Sequence, residues 1–317
     1  MHPSLDGVIA CLQAPAGDYG SRMVSRPELR QAATVMLVRN GPSSEAIEVL
    51  MVRRNLDSDF VGGAYVFPGG AVDLEDSGDI AANHVIGLDD AAASEVLGVE
   101  RGGLAYWVAV LRELFEEAGI LLTAHEATDA LAANPDSSLR LAAMRDELNA
   151  RARSFLSIAE AEQLVLDVSK VHYFAHWITP EGAPRRYDTR FFVAAAPEGQ
   201  VAVHDNGETI DAVWIDPLHA LERHRAGEIE IIFPTIKNLQ AIGRFTRVDE
   251  LLQAAREASE IPAILPRLTS DDRGVRILLP GDDDYDRVPA GPLSDAKSSF
   301  TDAVRAISRE ANPEPRL

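Results

Sequence analysis

The segment Arg112-Glu113-Leu114-Phe115-Glu116-Glu117-Ala118-Gly119-Ile120 is the most informative stretch of this 317-residue chain. It predicts the end of an amphipathic helix that stops at its glycine. Successive residues of an α-helix lie about 100° apart, so the three glutamates, at i, i+3 and i+4, share one flank. The opposite flank is apolar and comprises Trp107, Leu111, Leu114 and Ala118.

The clustered glutamates indicate a cation. Like charges at i,i+4 weaken a helix by a few tenths of a kcal/mol per pair. Between Leu104 and Leu122 the only basic residue is Arg112. Carboxylates without histidine or cysteine favour Mg²⁺ or Mn²⁺ over zinc, and protein-bound Mg²⁺ often contacts substrate phosphates. The pattern predicts a divalent metal site and a phosphate-bearing substrate; the alternative is an acidic surface helix with a glycine C-cap.

A second segment, Phe67-Pro68-Gly69-Gly70, is followed by Ala71-Val72-Asp73-Leu74-Glu75 and then by Asp76. Together the two segments resemble the two halves of the Nudix box, the signature of the Nudix hydrolases. Residues 77–111 separate the halves, a longer spacing than the family normally has. Lengthening a surface loop costs only about 0.6 kcal/mol per doubling, so such an insertion need not disturb either half.

The resemblance implies a metal-binding role for three side chains and one backbone group. Glu113, Glu116 and Glu117 would bind Mg²⁺ or Mn²⁺, with Glu117 innermost, and Glu116 and Glu117 would thereby also be catalytic. The backbone carbonyl of Gly70 would complete the set, because a glycine lets the main chain approach the ion closely.

Other residues receive catalytic or substrate-binding roles. Arg112 would pair with box carboxylates and orient them, and Asp76 is its candidate partner. Glu208 is a candidate general base, with a plain turn glutamate as the alternative. Clustered arginines could clamp substrate phosphates or be ordinary surface charges. The residues assigned to substrate binding are Arg53, Arg54, Gly69 and Arg190.

The resemblance implies an α/β fold, a Nudix-type α/β/α sandwich around a mixed sheet, with helical insertions and a C-terminal extension. The predicted parts are an N-terminal arm (1–30), a Nudix hydrolase domain (31–245) and a C-terminal helical extension and tail (246–317). Within the domain lie the insert of the box (77–103) and a helical insertion (125–168).

Periodicity and turn signals give the individual elements. The predicted strands are 32–39, 47–54, 65–67, 171–179, 187–195, 209–215 and 275–279. Besides the helix of the box, the predicted helices are 89–97, 135–155, 157–167, 217–227, 234–242 and 248–259, with a last one ending at Ile307. The helix at 157–167 is expected to open with a capping box formed by Ser157 and Glu160.

Composition narrows the functional class. The formal net charge is −20 and the sequence pI is about 4.7, which argues against binding nucleic acid through its backbone. The single cysteine, Cys11, excludes an internal disulfide and fits a reducing compartment. No membrane span and no basic leader are apparent, so we expect a cytoplasmic protein. The helical additions could pair subunits, which leaves a homodimer open.

The interrupted box resembles the Nudix branch that hydrolyses coenzyme A and its acyl derivatives. The resemblance therefore implies metal-dependent cleavage of a phosphoanhydride in a small-molecule nucleoside diphosphate derivative. ADP-ribose, NADH and dinucleoside polyphosphates are alternative substrates. A non-catalytic nucleotide-sensing module is the alternative of another class, although such modules usually lose box glutamates, and all three are present here.

Overall fold

The computed structural model describes residues 28–42, 46–58, 61–78, 83–124, 135–271, 274–288 and 307–308. Its strands are β1 (Leu29–Asn40), β2 (Ile47–Arg54), β3 (Tyr65–Val66), β4 (Gly69–Ala71), β5 (Val85–Ile86), β6 (Leu166–Asp167), β7 (Val171–Ile178), β8 (Arg186–Ala195), β9 (Thr209–Ile215), β10 (Ala263–Ile264), β11 (Arg267–Asp271) and β12 (Gly274–Leu278). Its helices are α1 (Asp90–Leu97), α2 (Leu104–Ala118), α3 (Pro135–Asn149), α4 (Phe155–Ala161), α5 (Pro217–Arg225), α6 (Phe233–Ile242) and α7 (Val248–Glu257).

The main sheet is mixed and has the order β10-β7-β8-β1-β2-β3, with β4 paired to β1 and β9 paired to β2. Its central strand β1 is an apolar run buried on both faces, as expected for a strand between two helical layers. β1 runs parallel to β8 along its length. On its other side it pairs with β4 at Ala32–Thr34 and with β2 at Val38–Asn40. This change of partner brings the glycines of β4 to the middle of the sheet.

Helices cover both faces of the sheet. On one face α2 packs against β1 and β8, where Trp107 makes an edge contact with Phe192 at 4.8 Å between ring centroids. On the other face α5, α6 and α7 bury Leu239 and Leu251 in one cluster with Val193. The α/β/α sandwich with a mixed sheet is therefore confirmed.

The two insertions contact each other. Within the insert of the box, β5 pairs in parallel with β6, which lies at the end of the helical insertion. The chain then turns through α1 and ends that helix at Gly98, whose φ of +64° is the left-handed conformation a glycine adopts without strain. Residues 79–82 lie outside the described residues. The rest of 77–111 connects the halves of the box and contains β5, α1 and the start of α2.

Two expectations need correction, and two lie largely outside the described part. The helix expected at 157–167 is α4, which begins earlier and ends at Ala161; its N-cap is Ser154, whose hydroxyl accepts the Ser157 N–H. The C-terminal extension contains the β11–β12 hairpin, and β10 extends the main sheet, so it is not only helical. The arm is described only from residue 28, and only 307–308 of the last predicted helix are described. Among the described residues, no helix is long and apolar enough to span a membrane.

Candidate active site

The two halves of the box meet where β4 crosses α2. The Gly69 N–H donates to Glu117 Oε2 at 3.1 Å. A Cβ placed on Gly70 would lie 2.4 Å from Glu113 Oε1, far inside van der Waals contact. A side chain at this position would displace the Glu113 carboxylate, which only glycine leaves in place. The inserted residues leave this junction intact.

Arg112 holds the acidic groups in a buried network. It donates from Nε and Nη2 to both oxygens of Asp76, at 2.8 and 2.9 Å, and from Nη2 to the Ala71 carbonyl at 2.7 Å. Its Nη1 donates to Glu113 Oε1 at 2.7 Å and to Glu116 Oε2 at 3.3 Å. Arg112 therefore fixes two carboxylates of the helix against the turn that precedes the insert, as the sequence predicts for this arginine.

The pKa values of the three glutamates of the box are raised. Burial raises the pKa of Glu113, although Arg112 opposes the shift. Burial raises the pKa of Glu116 to about 7. Burial, followed by the charge of Glu113, raises the pKa of Glu117 well above its ordinary value. Desolvated carboxylates of this kind are stabilised when a cation enters among them.

The residues present fit a divalent cation. Glu113 and Glu117 place hard oxygen donors against the backbone of Gly70 and Gly69, and carboxylate and carbonyl oxygens are the ligands that Mg²⁺ and Mn²⁺ prefer. Within the part of the chain that the structure describes, no three such side chains already converge in a coordination geometry. In the described structure Glu113 and Glu116 are both paired with the Arg112 guanidinium.

The box opens into a cleft of about 1540 Å³. Glu208 lines this cleft with the three glutamates, and its charge contributes to raising their pKa values. The loop that carries it is anchored, because Asp205 accepts the backbone N–H groups of Glu208 and Thr209 at 2.9 and 2.8 Å. The structure thus brings the candidate general base of the sequence analysis to the glutamate cluster.

The four substrate-binding candidates have different environments. Gly69 and Arg54 line the cleft, and Arg54 Nε has no hydrogen-bond partner among the described residues. Arg53 instead donates from Nε to the Gly63 carbonyl at 3.2 Å and lies over the Tyr65 ring, 5.9 Å from its centroid. Arg53 is not among the residues that line the cleft.

Arg190 is turned away from the cleft. Its side chain is buried, lies 5.2 Å from the centroid of the Tyr106 ring and forms an ion pair with Asp188. His176 contacts the same carboxylate at 2.5 Å. Burial acts to raise the pKa of Asp188, but its hydrogen bonds to His176 and Arg190 outweigh burial and lower it. Arg190 is therefore a structural cation of the sheet, and its substrate-binding assignment is corrected.

Sequence reasoning missed two side chains that act on the helix of the box. Arg145 of α3 donates from Nε to the Glu116 carbonyl at 2.9 Å, and Asn149 donates to the same oxygen at 3.4 Å. They satisfy a carbonyl at the end of α2, where a cation also complements the helix dipole. The i,i+4 spacing of the pair on one predicted helix was the only sequence signal, and it did not indicate a partner.

The fold and the box junction resemble those of the Nudix hydrolases, a family of pyrophosphohydrolases. The sequence model of the NUDT19 Nudix domain matches residues 89–242, which include the second half of the box. The human acyl-coenzyme A diphosphatase NUDT19 is 29% identical over 297 residues, covering 82% of this chain and 77% of the human protein. The NUDT19 protein of Gallus gallus is 27% identical over 304 residues, covering 82% and 80%.

A solved structure shows the same architecture. The crystal structure of a NUDIX hydrolase from Alicyclobacillus acidocaldarius is 26% identical to this chain and superposes with a TM-score of 0.53. The match covers 72% of this chain and 96% of that one. A known Nudix structure therefore matches most of this chain.

Proposed function

We propose that this chain hydrolyses the diphosphate of coenzyme A or of an acyl-coenzyme A, with Mg²⁺ or Mn²⁺ bound by the box. The observation that carries the proposal is the junction of Gly69 with Glu117 and of Gly70 with Glu113, which opens into the 1540 Å³ cleft. The names of the similar animal proteins, acyl-coenzyme A diphosphatases, support this substrate class.

Glu113, Glu116, Glu117 and the Gly70 carbonyl would hold the ion. When bound, it would supply positive charge to the diphosphate and lower the pKa of a water molecule. Glu116 is paired with Arg112 in the described structure, so its share in binding requires that this contact loosen.

The other side chains act on substrate and water. Arg54 lines the cleft, and guanidinium groups bind phosphate oxygens strongly through charge-assisted hydrogen bonds. Glu208 would accept the proton of the attacking water. Arg112 keeps Glu113 beside Gly70, because it donates to that carboxylate at 2.7 Å.

The test is product analysis with purified protein. Coenzyme A and an acyl-coenzyme A should each yield adenosine 3′,5′-bisphosphate and a phosphopantetheine product in the presence of Mg²⁺ or Mn²⁺, and none in EDTA. ADP-ribose, NADH and dinucleoside polyphosphates serve as competing substrates. Faster turnover of one of these would reassign the substrate, and tight nucleotide binding without any turnover would favour a sensing module.

A matched pair of variants tests the ligand assignment. Glu117→Gln should lower kcat at least about 100-fold, because it removes a charged ligand of the ion and keeps the shape of the side chain. Glu95→Gln, on the exposed face of α1, should behave like the wild type. Full activity of the Glu117 variant would refute the assignment. A cytoplasmic location, the domain limits and a homodimer stay predictions.

A further inference from the structure

Two acidic side chains of one loop line the cleft beside the box. The loop joins β8 to β9, and both Asp205 and Glu208 are among the residues that line the cleft. By residue type alone, either carboxylate could serve as the general base of a hydrolysis. Their hydrogen bonds give the two side chains different roles.

The carboxylate of Asp205 is occupied by its own loop. Its Oδ2 accepts the Glu208 N–H at 2.9 Å, and its Oδ1 accepts the Thr209 N–H at 2.8 Å and the Thr209 hydroxyl at 2.6 Å. An ionised carboxylate has about four acceptor positions, so most of them are used. Burial acts to raise the pKa of Asp205, but the hydrogen bonds outweigh burial and lower it. A carboxylate with a lowered pKa is a weaker base.

Glu208 has the opposite arrangement. Its side chain is exposed, and its carboxylate makes no hydrogen bond to the described residues. Its main chain is held on both sides, because the N–H donates to Asp205 and the carbonyl accepts the Asn55 N–H at 2.8 Å. Asn55 also donates from Nδ2 to the Gly207 carbonyl at 2.8 Å. Glu208 therefore combines a fixed backbone with a carboxylate that is free to accept a proton.

The same loop is docked on the end of α2. The Val203 N–H donates to the Ala118 carbonyl at 2.9 Å. Thr209 is completely buried, and its hydroxyl lies 3.3 Å from the Glu117 carbonyl. The pairing of β9 with β2 has a register shift where the loop ends, and such bulges often aim a side chain at an active site. The anchor of Glu208 is thus attached to the helix that carries the glutamates of the box.

We infer that Asp205 is a positioning residue, which holds Glu208 beside the glutamates of the box and neither binds the metal ion nor accepts the proton. Thr209 completes the anchor through its hydroxyl. The inference rests on the proposed function for the role of Glu208 as general base. Because the anchor acts only through Glu208, its loss should have no further effect once Glu208 has lost its carboxylate.

The test is a double-mutant cycle on the hydrolysis reaction. Asp205→Asn replaces one acceptor oxygen by an NH₂ group, so it should lower kcat about 10- to 100-fold with little change in KM. Glu208→Gln should lower kcat at least about 100-fold. The double variant should be no slower than Glu208→Gln alone. If Asp205→Asn lowers kcat equally in both backgrounds, its effect does not pass through Glu208 and the inference is overturned.

A milder pair of variants tests the anchor with less disturbance of the fold. Thr209→Val removes the hydroxyl that donates to Asp205 and keeps the shape of the side chain, so kcat should fall about 3- to 10-fold. Thr209→Ser should restore it, and a serine variant as slow as the valine variant would contradict the anchor. The control is Asp216→Asn. Asp216 is half-buried and accepts the His219 N–H at 2.8 Å, but it is not among the residues that line the cleft, so kcat should match the wild type.

Calorimetric titration with Mn²⁺ gives a readout that does not depend on turnover. Asp205→Asn should bind Mn²⁺ as the wild type does, whereas Glu117→Gln should bind it at least about 10-fold more weakly because it loses a charged ligand. An equal loss of affinity in the two variants would make Asp205 a ligand of the ion and overturn the inference.

The outcomes separate this inference from the proposed function. Hydrolysis of coenzyme A that Asp205→Asn leaves at the wild-type rate would support the proposed function and overturn the inference. If the protein hydrolyses ADP-ribose, NADH or a dinucleoside polyphosphate and not coenzyme A, the proposed substrate is refuted, and the same cycle measured on that compound decides the inference. If none of these compounds is hydrolysed, both are refuted.

Discussion

Replacing Asp76 by alanine should destabilise the protein by about 3 kcal/mol. Asp76 is 1% exposed and accepts two hydrogen bonds from Arg112 and one from the Asp73 N–H. Breaking a buried ion pair by removing one partner costs about 3–5 kcal/mol. We expect the lower end of this range, because Arg112 keeps the carboxylate of Glu113 and the carbonyl of Ala71 as partners.

The assay is denaturation by urea in EDTA, so that metal binding does not contribute to stability. The midpoint should fall at an unchanged slope, which marks a change in stability and not in the surface exposed on unfolding. Asp73→Ala is the control on the same turn: its carboxylate lies 3.7 Å from Arg112 with 63% of its side chain exposed, so the loss should stay below about 1 kcal/mol. Equal losses in the two variants would refute the reasoning.

Three further predictions concern the surroundings of the box. Gly70→Ala should lower Mn²⁺ affinity at least about 10-fold in a calorimetric titration, because the new methyl group displaces Glu113; an affinity equal to that of the wild type would contradict the close approach. Arg145→Ala should cost about 1 kcal/mol in urea denaturation, since it leaves the Glu116 carbonyl with only the 3.4 Å contact to Asn149. Arg145→Lys should recover part of this loss; identical losses in both variants would exclude a role for the charge. Asp188→Asn should destabilise the protein at neutral pH. The pKa of Asp188 is lowered in the folded protein, so its ionised form stabilises the fold at pH values above the ordinary pKa of 3.8, and the difference in stability between variant and wild type should shrink as the pH falls below 3.8. A stability difference that does not depend on pH would argue against the ion pair.

The box and the sheet could be predicted because their signals are local. The glutamates at i, i+3 and i+4 fix one flank of α2 wherever the helix lies, and the structure places this flank at Gly69 and Gly70. The apolar runs at 32–39 and 47–54 give the hairpin of β1 and β2 for the same reason. Local periodicity does not depend on how the rest of the chain packs.

Features that depend on contacts distant in sequence could not be predicted. The sequence alone suggests that Arg190 binds phosphate. Strand pairing places it beside His176, and this position determines its partner and its burial. The N-cap at Ser154 was missed because Ser157 and Glu160 offer an equally good local pattern, and packing decided where α4 begins. The apolar cluster that contains Trp177 also includes Leu268, from a hairpin about 90 residues further along the chain, which no local pattern indicates.

The pairing of β5 with β6 bears on how such an interrupted box can be shortened. Val85 and Ile86 exchange backbone hydrogen bonds with Leu166 and Asp167, and the Val168 N–H continues the contact to the Ile86 carbonyl. Shortening the insert of the box to the usual length would remove β5. The edge of β6 that pairs with β5 would then be exposed. The two additions behave as one module, to be removed or transplanted only together.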